Sequence, residues 1–130
     1  MRDEVLRKVA DPRLRVYVVW EPILPKDRAE AVADAAAVMA GETRAVQYWD
    51  AGAVSGKAYR QSLDLPLKSA AWDIYFLYPP GVKWEADPPA PSFWMHQLNF
   101  MPFTDGDKRF GKLRLDGARF LEEVQRLTER

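Results

Sequence analysis

The sequence predicts an α/β domain, a central mixed sheet flanked by helices. Three observations carry that expectation. Val16 through Trp20 is an unbroken run of β-branched and aromatic residues, the pattern of a strand buried on both faces. Apolar runs of this kind alternate along the chain with segments of helical periodicity, the order that builds right-handed βαβ crossovers. At 130 residues, 48% of them hydrophobic, the chain has the size and composition of one domain, residues 1–130, that buries a core without disulfides or metal.

Each element has its own signal. Residues 3–10 (DEVLRKVA) place Val5, Leu6 and Val9 on one side at helical spacing, and Asp11-Pro12 ends that helix because the residue before proline is pushed out of the helical region. The strand within LRVYVVWEP follows, and Pro22 and Pro25 keep the next loop out of regular pairing. Residues 26–40 are alanine-rich and predict a helix with Val32, Ala36 and Met39 on one face. Asp27 and Glu30 sit near its positive end, and Gly41 suits its C-terminal cap. RAVQYWD, 44–50, reads as the next strand, and Asp50 as the cap of a helix over 52–63 whose inner face is Val54, Ala58, Tyr59 and Leu63. In 71–85 an apolar run meets Pro79-Pro80-Gly81, which predicts a type II turn and a β-hairpin resuming at Val82. Residues 86–92 are a proline-rich loop, and FWMHQLNF, 93–100, fits a short helix or a strand. Residues 116–129 form an amphipathic helix, capped by Asp116, with Phe120, Val124 and Leu127 as its buried stripe.

Composition excludes several classes of function. Nineteen basic residues balance nineteen acidic ones, which argues against nonspecific binding to nucleic acid or to acidic membranes. The locally basic stretch 108–119 reads as solvated surface. There is no cysteine, so this chain supports no disulfide, thiolate nucleophile or zinc–thiolate site. The charged start MRDEVLRKVA is not of signal-peptide type and no run approaches a membrane span, so a cytoplasmic location is expected. No glycine-rich phosphate loop, GxSxG or HExxH occurs, and no cofactor is expected. Asp105-Gly106-Asp107 echoes a calcium loop without its remaining ligands and reads as a turn.

VYVVWEP, the 27–40 helix, QYWDAGAVSGKAYRQSLDL and AAWDIYFLYPPGVKW, taken in this order, resemble the thioredoxin-like fold. The branch they are most similar to holds thiol-disulfide oxidoreductases and alkyl hydroperoxide reductases. Asp50, Ala58-Tyr59, Ile74–Tyr78 and Gly81 occupy that branch's recurring strand-end aspartate, helix end and glycine turn. The resemblance covers roughly residues 1–86 and the final helix. It implies a redox site with a CxxC motif opening the first helix and a cis-proline facing it. This chain has no cysteine, and Ser69-Ala70-Ala71 stands where the proline belongs. The resemblance thus implies the fold without the redox activity, in a protein- or small-ligand-binding module.

The family's first strand is also missing, and Met1 falls where the first helix is already under way. Two expectations follow. One is a cut-down fold whose exposed sheet edge is covered in a homodimer or by a protein or peptide partner. The other is a longer thiol-disulfide oxidoreductase whose first strand and CxxC lie upstream of Met1, with export then possible.

The candidate ligand-binding residues are Trp20, Glu21, Trp49, Asp50, Trp94 and His96. Glu21 and Asp50 follow strand-end tryptophans, and ligands in open α/β sheets bind beyond the carboxyl ends of the strands. Asp73 also adjoins a tryptophan but is expected at the opposite end of the sheet. The plainer roles are a helix cap for Asp50 and a solvated Glu21. Four of the five tryptophans, Trp20, Trp49, Trp84 and Trp94, would line an aromatic groove, or else fill the core. His96, the only histidine, has no acidic or hydroxyl partner at a telling spacing and reads first as a core residue satisfied by a backbone carbonyl. No residue is assigned a catalytic or metal-binding role.

Overall fold

The computed structural model describes residues 1–129. Its elements are β1 (Val16–Trp20), α1 (Ala29–Ala36), β2 (Ala45–Trp49), α2 (Val54–Ser62), β3 (Ile74–Leu77), β4 (Phe93–His96) and α3 (Gly117–Thr128), with three short 3-10 turns at Leu6–Lys8, Ala37–Met39 and Gly111–Leu113. The chain is therefore α/β, as its alternating pattern requires. The expected single central sheet is not formed. β1 and β2 pair in parallel, β3 and β4 pair antiparallel, and no strand ladder joins the two pairs.

The β1–α1–β2 unit is a crossover with one covered and one open face. The ladder runs from Val16 N–H donating to Arg44 O at 3.0 Å to Asp50 N–H donating to Trp20 O at 2.9 Å. Because the side-chain period of a strand is two, Val16, Val18, Trp20, Ala45, Gln47 and Trp49 share the inner face, all partly buried. There the Gln47 amide ties the layers together: its Nε2 donates to Ala36 O of α1 at 3.1 Å, and its Oε1 accepts from Trp20 Nε1 at 3.0 Å. Tyr17, Val19, Val46 and Tyr48 form the opposite face and are exposed.

Two apolar clusters make the core around β3 and β4. One gathers Tyr59, Leu65, Leu67, Ala71, Leu98 and Phe103 under α2, with Trp94 and Phe110 packed against it. The other joins Val5 and Val9 to Met95 and to Phe120 and Val124 of α3. Leu14, just before β1, and Leu77, at the end of β3, pack against this second cluster. Ala71, just before β3, donates to Gly56 O of α2 at 2.8 Å, beside the point where Glu21 leaves β1. So β1 and β3 run in opposite directions.

The terminal helix is as its sequence requires. Asp116 Oδ1 accepts from Arg119 N–H at 3.0 Å, and Phe120 and Val124 are buried. Two expectations need correction. Residues 3–10 bury Val5, Leu6 and Val9 but form only a 3-10 turn over Leu6–Lys8. The chain does turn at Gly81, with φ +84°. The returning strand is Phe93–His96 rather than Val82 onward. Residues 82–87 are exposed throughout and offer no face to bury, whereas β4 buries Met95 and His96 completely.

Candidate functional site

Glu21 and Asp50 end the two parallel strands side by side, and both reach the first turn of α2. Asp50 Oδ2 accepts from the Ser55 N–H at 2.8 Å and lies 2.7 Å from Ser55 Oγ. Glu21 Oε1 accepts from the Gly56 N–H at 2.7 Å and lies 2.9 Å from the same Ser55 Oγ. The residue preceding α2, Ala53, has no side-chain acceptor and a left-handed backbone with φ 47°. The two carboxylates take over the capping task and satisfy N–H groups that the helix leaves unpaired at its start.

Ser55 has one hydroxyl proton and two carboxylate neighbours. When it donates to Asp50, its contact with Glu21 is a hydrogen bond only if Glu21 carries a proton and donates to Ser55 Oγ. The electrostatics agree. Burial pushes the Glu21 carboxyl above its ordinary range; the Ser55 and Gly56 hydrogen bonds and Lys57 oppose this, and the Asp50 charge adds to it. Burial also works to raise Asp50, but the Ser55 N–H and hydroxyl and the Val54 and Gly52 N–H groups outweigh it and hold Asp50 below the usual aspartate range. Asp50 is the more acidic member of the pair. This is a structural clamp between strand ends and helix, in which the Ser55 hydroxyl lies between two carboxyl groups.

Gly56 is required by this arrangement. A Cβ there would meet Glu21 Oε2 at 2.4 Å and the Ala71 backbone oxygen at 2.6 Å. The sequence offered only a glycine early in a helix, which carries no such signal by itself.

His96 lies in a different layer. It is fully buried at the end of β4, its Nε2 lies 2.8 Å from Phe110 O, and its ring meets the edge of Phe103 at a centroid distance of 5.1 Å. The carbonyl only accepts, so Nε2 carries the hydrogen, and the buried Nδ1 has no partner. Burial holds the imidazole below its ordinary pKa against the pull of the Phe110 carbonyl, and the Arg114 charge adds to the depression. Neither Glu21 nor Asp50 is hydrogen-bonded to it. The reading of His96 as a core histidine on a backbone carbonyl matches this geometry.

The tryptophans do not converge. Trp20 and Trp49 are register partners on the inner face of the parallel pair, Trp94 packs beside His96, and Trp84 sets its ring against Tyr59. Asp73 corrects a further expectation. It lies two residues after Ala71, which bonds to Gly56, and so stands at the same end of the molecule as Glu21 and Asp50. Asp105 accepts from Asp107 N–H and pairs with Lys108 at 3.2 Å, a turn. Among the described residues no cluster of three or more His, Asp or Glu side chains is placed to hold a metal, and no helix is long and apolar enough to cross a membrane.

What the sequence reading missed is the outer face of the β1–β2 pair. Tyr17 is 65% exposed, Val19 44%, Val46 45% and Tyr48 51%. Tyr17 stacks on Tyr48 with ring centroids 6.5 Å apart. The signal was present as the period-2 pairing of the two runs, but a continuous apolar strand reads as covered on both faces, and that reading hid the open one. At the foot of this face, around Val46, lies an open cavity of about 640 Å³ whose lining includes Leu6, Arg7, Arg15 and Arg44. Comparison with protein-family models, with curated proteins and with solved structures found no match.

Proposed function

We propose that this chain is a noncatalytic thioredoxin-like domain that works by binding protein through the outer face of its β1–β2 sheet. The observation that carries the reading is the contrast between its polar groups and that face. Glu21, Asp50 and Ser55 are occupied by one another and by α2, and His96 is sealed among aromatic rings. Four large apolar side chains meanwhile stand in solvent on two adjacent strands. Contiguous exposed apolar surface of this kind marks interaction sites, and a two-stranded parallel sheet ordinarily has both faces covered. The order β1–α1–β2, α2, antiparallel β3–β4, α3 supports the thioredoxin-like reading.

A fluorescent dye that binds apolar surface tests the reading without a known partner. The folded protein is expected to bind anilinonaphthalene sulfonate while keeping a cooperative thermal transition. The double variant Tyr17→Ser, Tyr48→Ser is expected to lose that binding with its fold unchanged by near-UV circular dichroism. Absence of dye binding by the wild-type protein, or equal binding by the variant, would overturn it.

A further inference from the structure

The cavity at the foot of the outer face holds one cation that the fold leaves over. Three arginines line it, Arg7, Arg15 and Arg44, and they differ in what they have free. Arg44 is fully engaged. Its Nε and Nη2 donate to the Glu42 carboxylate at 2.6 and 2.5 Å, and its Nη1 and Nη2 donate to the Val9 and Leu6 carbonyls at 2.5 and 2.8 Å. These bonds hold the Glu42 pKa down to about 2, so the pair stays ionised and its charges cancel. Arg7 shares Asp3 with Arg2, each at 3.0 Å. Asp11, beside the lining residue Pro12, pairs with Arg13 at 2.7 Å.

Arg15 is different. Its Nη1 donates to the Pro12 and Leu14 carbonyls at 2.6 and 3.0 Å, and among the described residues no carboxylate meets it and its Nε and Nη2 have no acceptor. Those two N–H groups lie side by side on one edge of the guanidinium, at the spacing of the two oxygens of a carboxylate. The bonds to Nη1 already hold the side chain, which lowers the ordering cost of binding. The surface beside this edge is apolar. Val46 belongs both to the cavity lining and to the outer face. Tyr17 follows Arg15 by two residues along β1, and Tyr48 follows Val46 by two along β2, so all four side chains share one face.

We propose that the partner of this face is a protein segment of apolar residues that carries one carboxylate, the carboxylate seated on the Nε–Nη2 edge of Arg15 and the apolar side chains over Val46, Tyr17 and Tyr48. The inference rests on the protein-binding role assigned above and names the chemistry of its partner. Charge selects it. A neutral or cationic segment covering this strip would bury the Arg15 charge without a counter-charge, which is costly. One carboxylate suffices, because the acidic groups around the cavity already match the other two arginines. A chain-terminal carboxylate and an Asp or Glu side chain offer the same head group, and the cavity, at about 640 Å³, has room for either.

Four acetylated peptides test this by calorimetric titration: Gly-Ser-Leu-Val-Leu with a free carboxyl end, the same peptide amidated, and amidated forms ending in Glu or in Lys. The free acid or the Glu form is expected to bind, and the tighter of the two identifies the source of the carboxylate. The amidated Leu form is expected to bind at least about tenfold more weakly, and the Lys form more weakly still. Arg15→Gln is expected to abolish the preference for the acid, and Arg15→Lys, which keeps the charge without the fork, to retain part of it. Arg15 is exposed, and circular dichroism of each variant reports retained folding. Equal binding of acid and amide overturns the proposal, as does an acid preference that survives Arg15→Gln, or no binding of any peptide up to about 1 mM. Acid and amide binding alike, with both lost in the Tyr17→Ser, Tyr48→Ser variant, would keep the role of the face while this partner chemistry is rejected.

Discussion

Ser55 shares its single hydroxyl proton between two carboxyl groups, and that fixes the acid–base behaviour of the clamp. The folded state raises the Glu21 pKa above the ordinary glutamate value of 4.5. Between that value and the folded one, the folded protein binds more protons than the unfolded chain. The contribution of Glu21 is therefore fully present below pH 4.5 and is lost as pH rises through the folded pKa. Glutamine at this position removes the titrating proton and keeps an oxygen where Glu21 Oε1 accepts from the Gly56 N–H. Glu21→Gln is expected to leave stability at neutral pH equal to or above wild type and to flatten its decline on the alkaline side of pH 4.5, measured as urea midpoints between pH 4 and 8. A wild-type profile with no such decline, or a variant profile that keeps it, would contradict the raised Glu21 pKa. The cap on α2 was legible in the sequence because Asp50 precedes a helical pattern. The part played by Glu21 was not, because it depends on two strand ends, 29 residues apart, lying in register.

At the scale of elements, α2 is held against both halves of the domain, and Gly56 sets how closely. Replacing a helical glycine with alanine ordinarily gains up to about 1 kcal/mol. Here the added methyl would stand 2.6 Å from the Ala71 carbonyl oxygen, which is backbone, and 2.4 Å from Glu21 Oε2, so steric cost dominates. Gly56→Ala is expected to destabilise by about 1–3 kcal/mol, read from denaturant unfolding; a stabilised variant would mean that α2 stands farther from β1 than described. Element type was legible wherever the period was strong. The 26–40 pattern yielded α1 and a 3-10 turn, and the 116–129 pattern yielded α3. Pairing was less legible. The partner of β3 was set not by the Pro79-Pro80-Gly81 turn beside it but by which later segment had a face to bury, and 93–96 has one while 82–87 does not.

For the whole molecule, two small sheets replace the single sheet that alternating apolar runs imply. Neither pair is hydrogen-bonded to the other, and phase explains which groups are left over. Val16, Val18 and Trp20 bond to β2, so the backbone groups of Tyr17 and Val19 point to the free edge of β1. A parallel pair with open edges and an open apolar face is not self-sufficient in the way a covered sheet is. The acidic residues that looked most like a site tie the β1 and β2 strand ends to α2, His96 is buried beside Phe103 and Phe110, and the exposed apolar surface of β1–β2 is made of tyrosine and valine. The fold class could be read from the sequence because strand and helix periods are local. The binding surface could not, because exposure is decided by what packs above the sheet.

The central claim, that recognition occurs on the outer β1–β2 face, is tested most directly by amide chemical shifts recorded as anilinonaphthalene sulfonate is added to the protein. The account predicts that the moving resonances cluster at Arg15, Tyr17, Val19, Val46 and Tyr48, with those of Met95, His96 and Leu98 fixed. Movement confined to other surfaces, or none up to 1 mM, would contradict it.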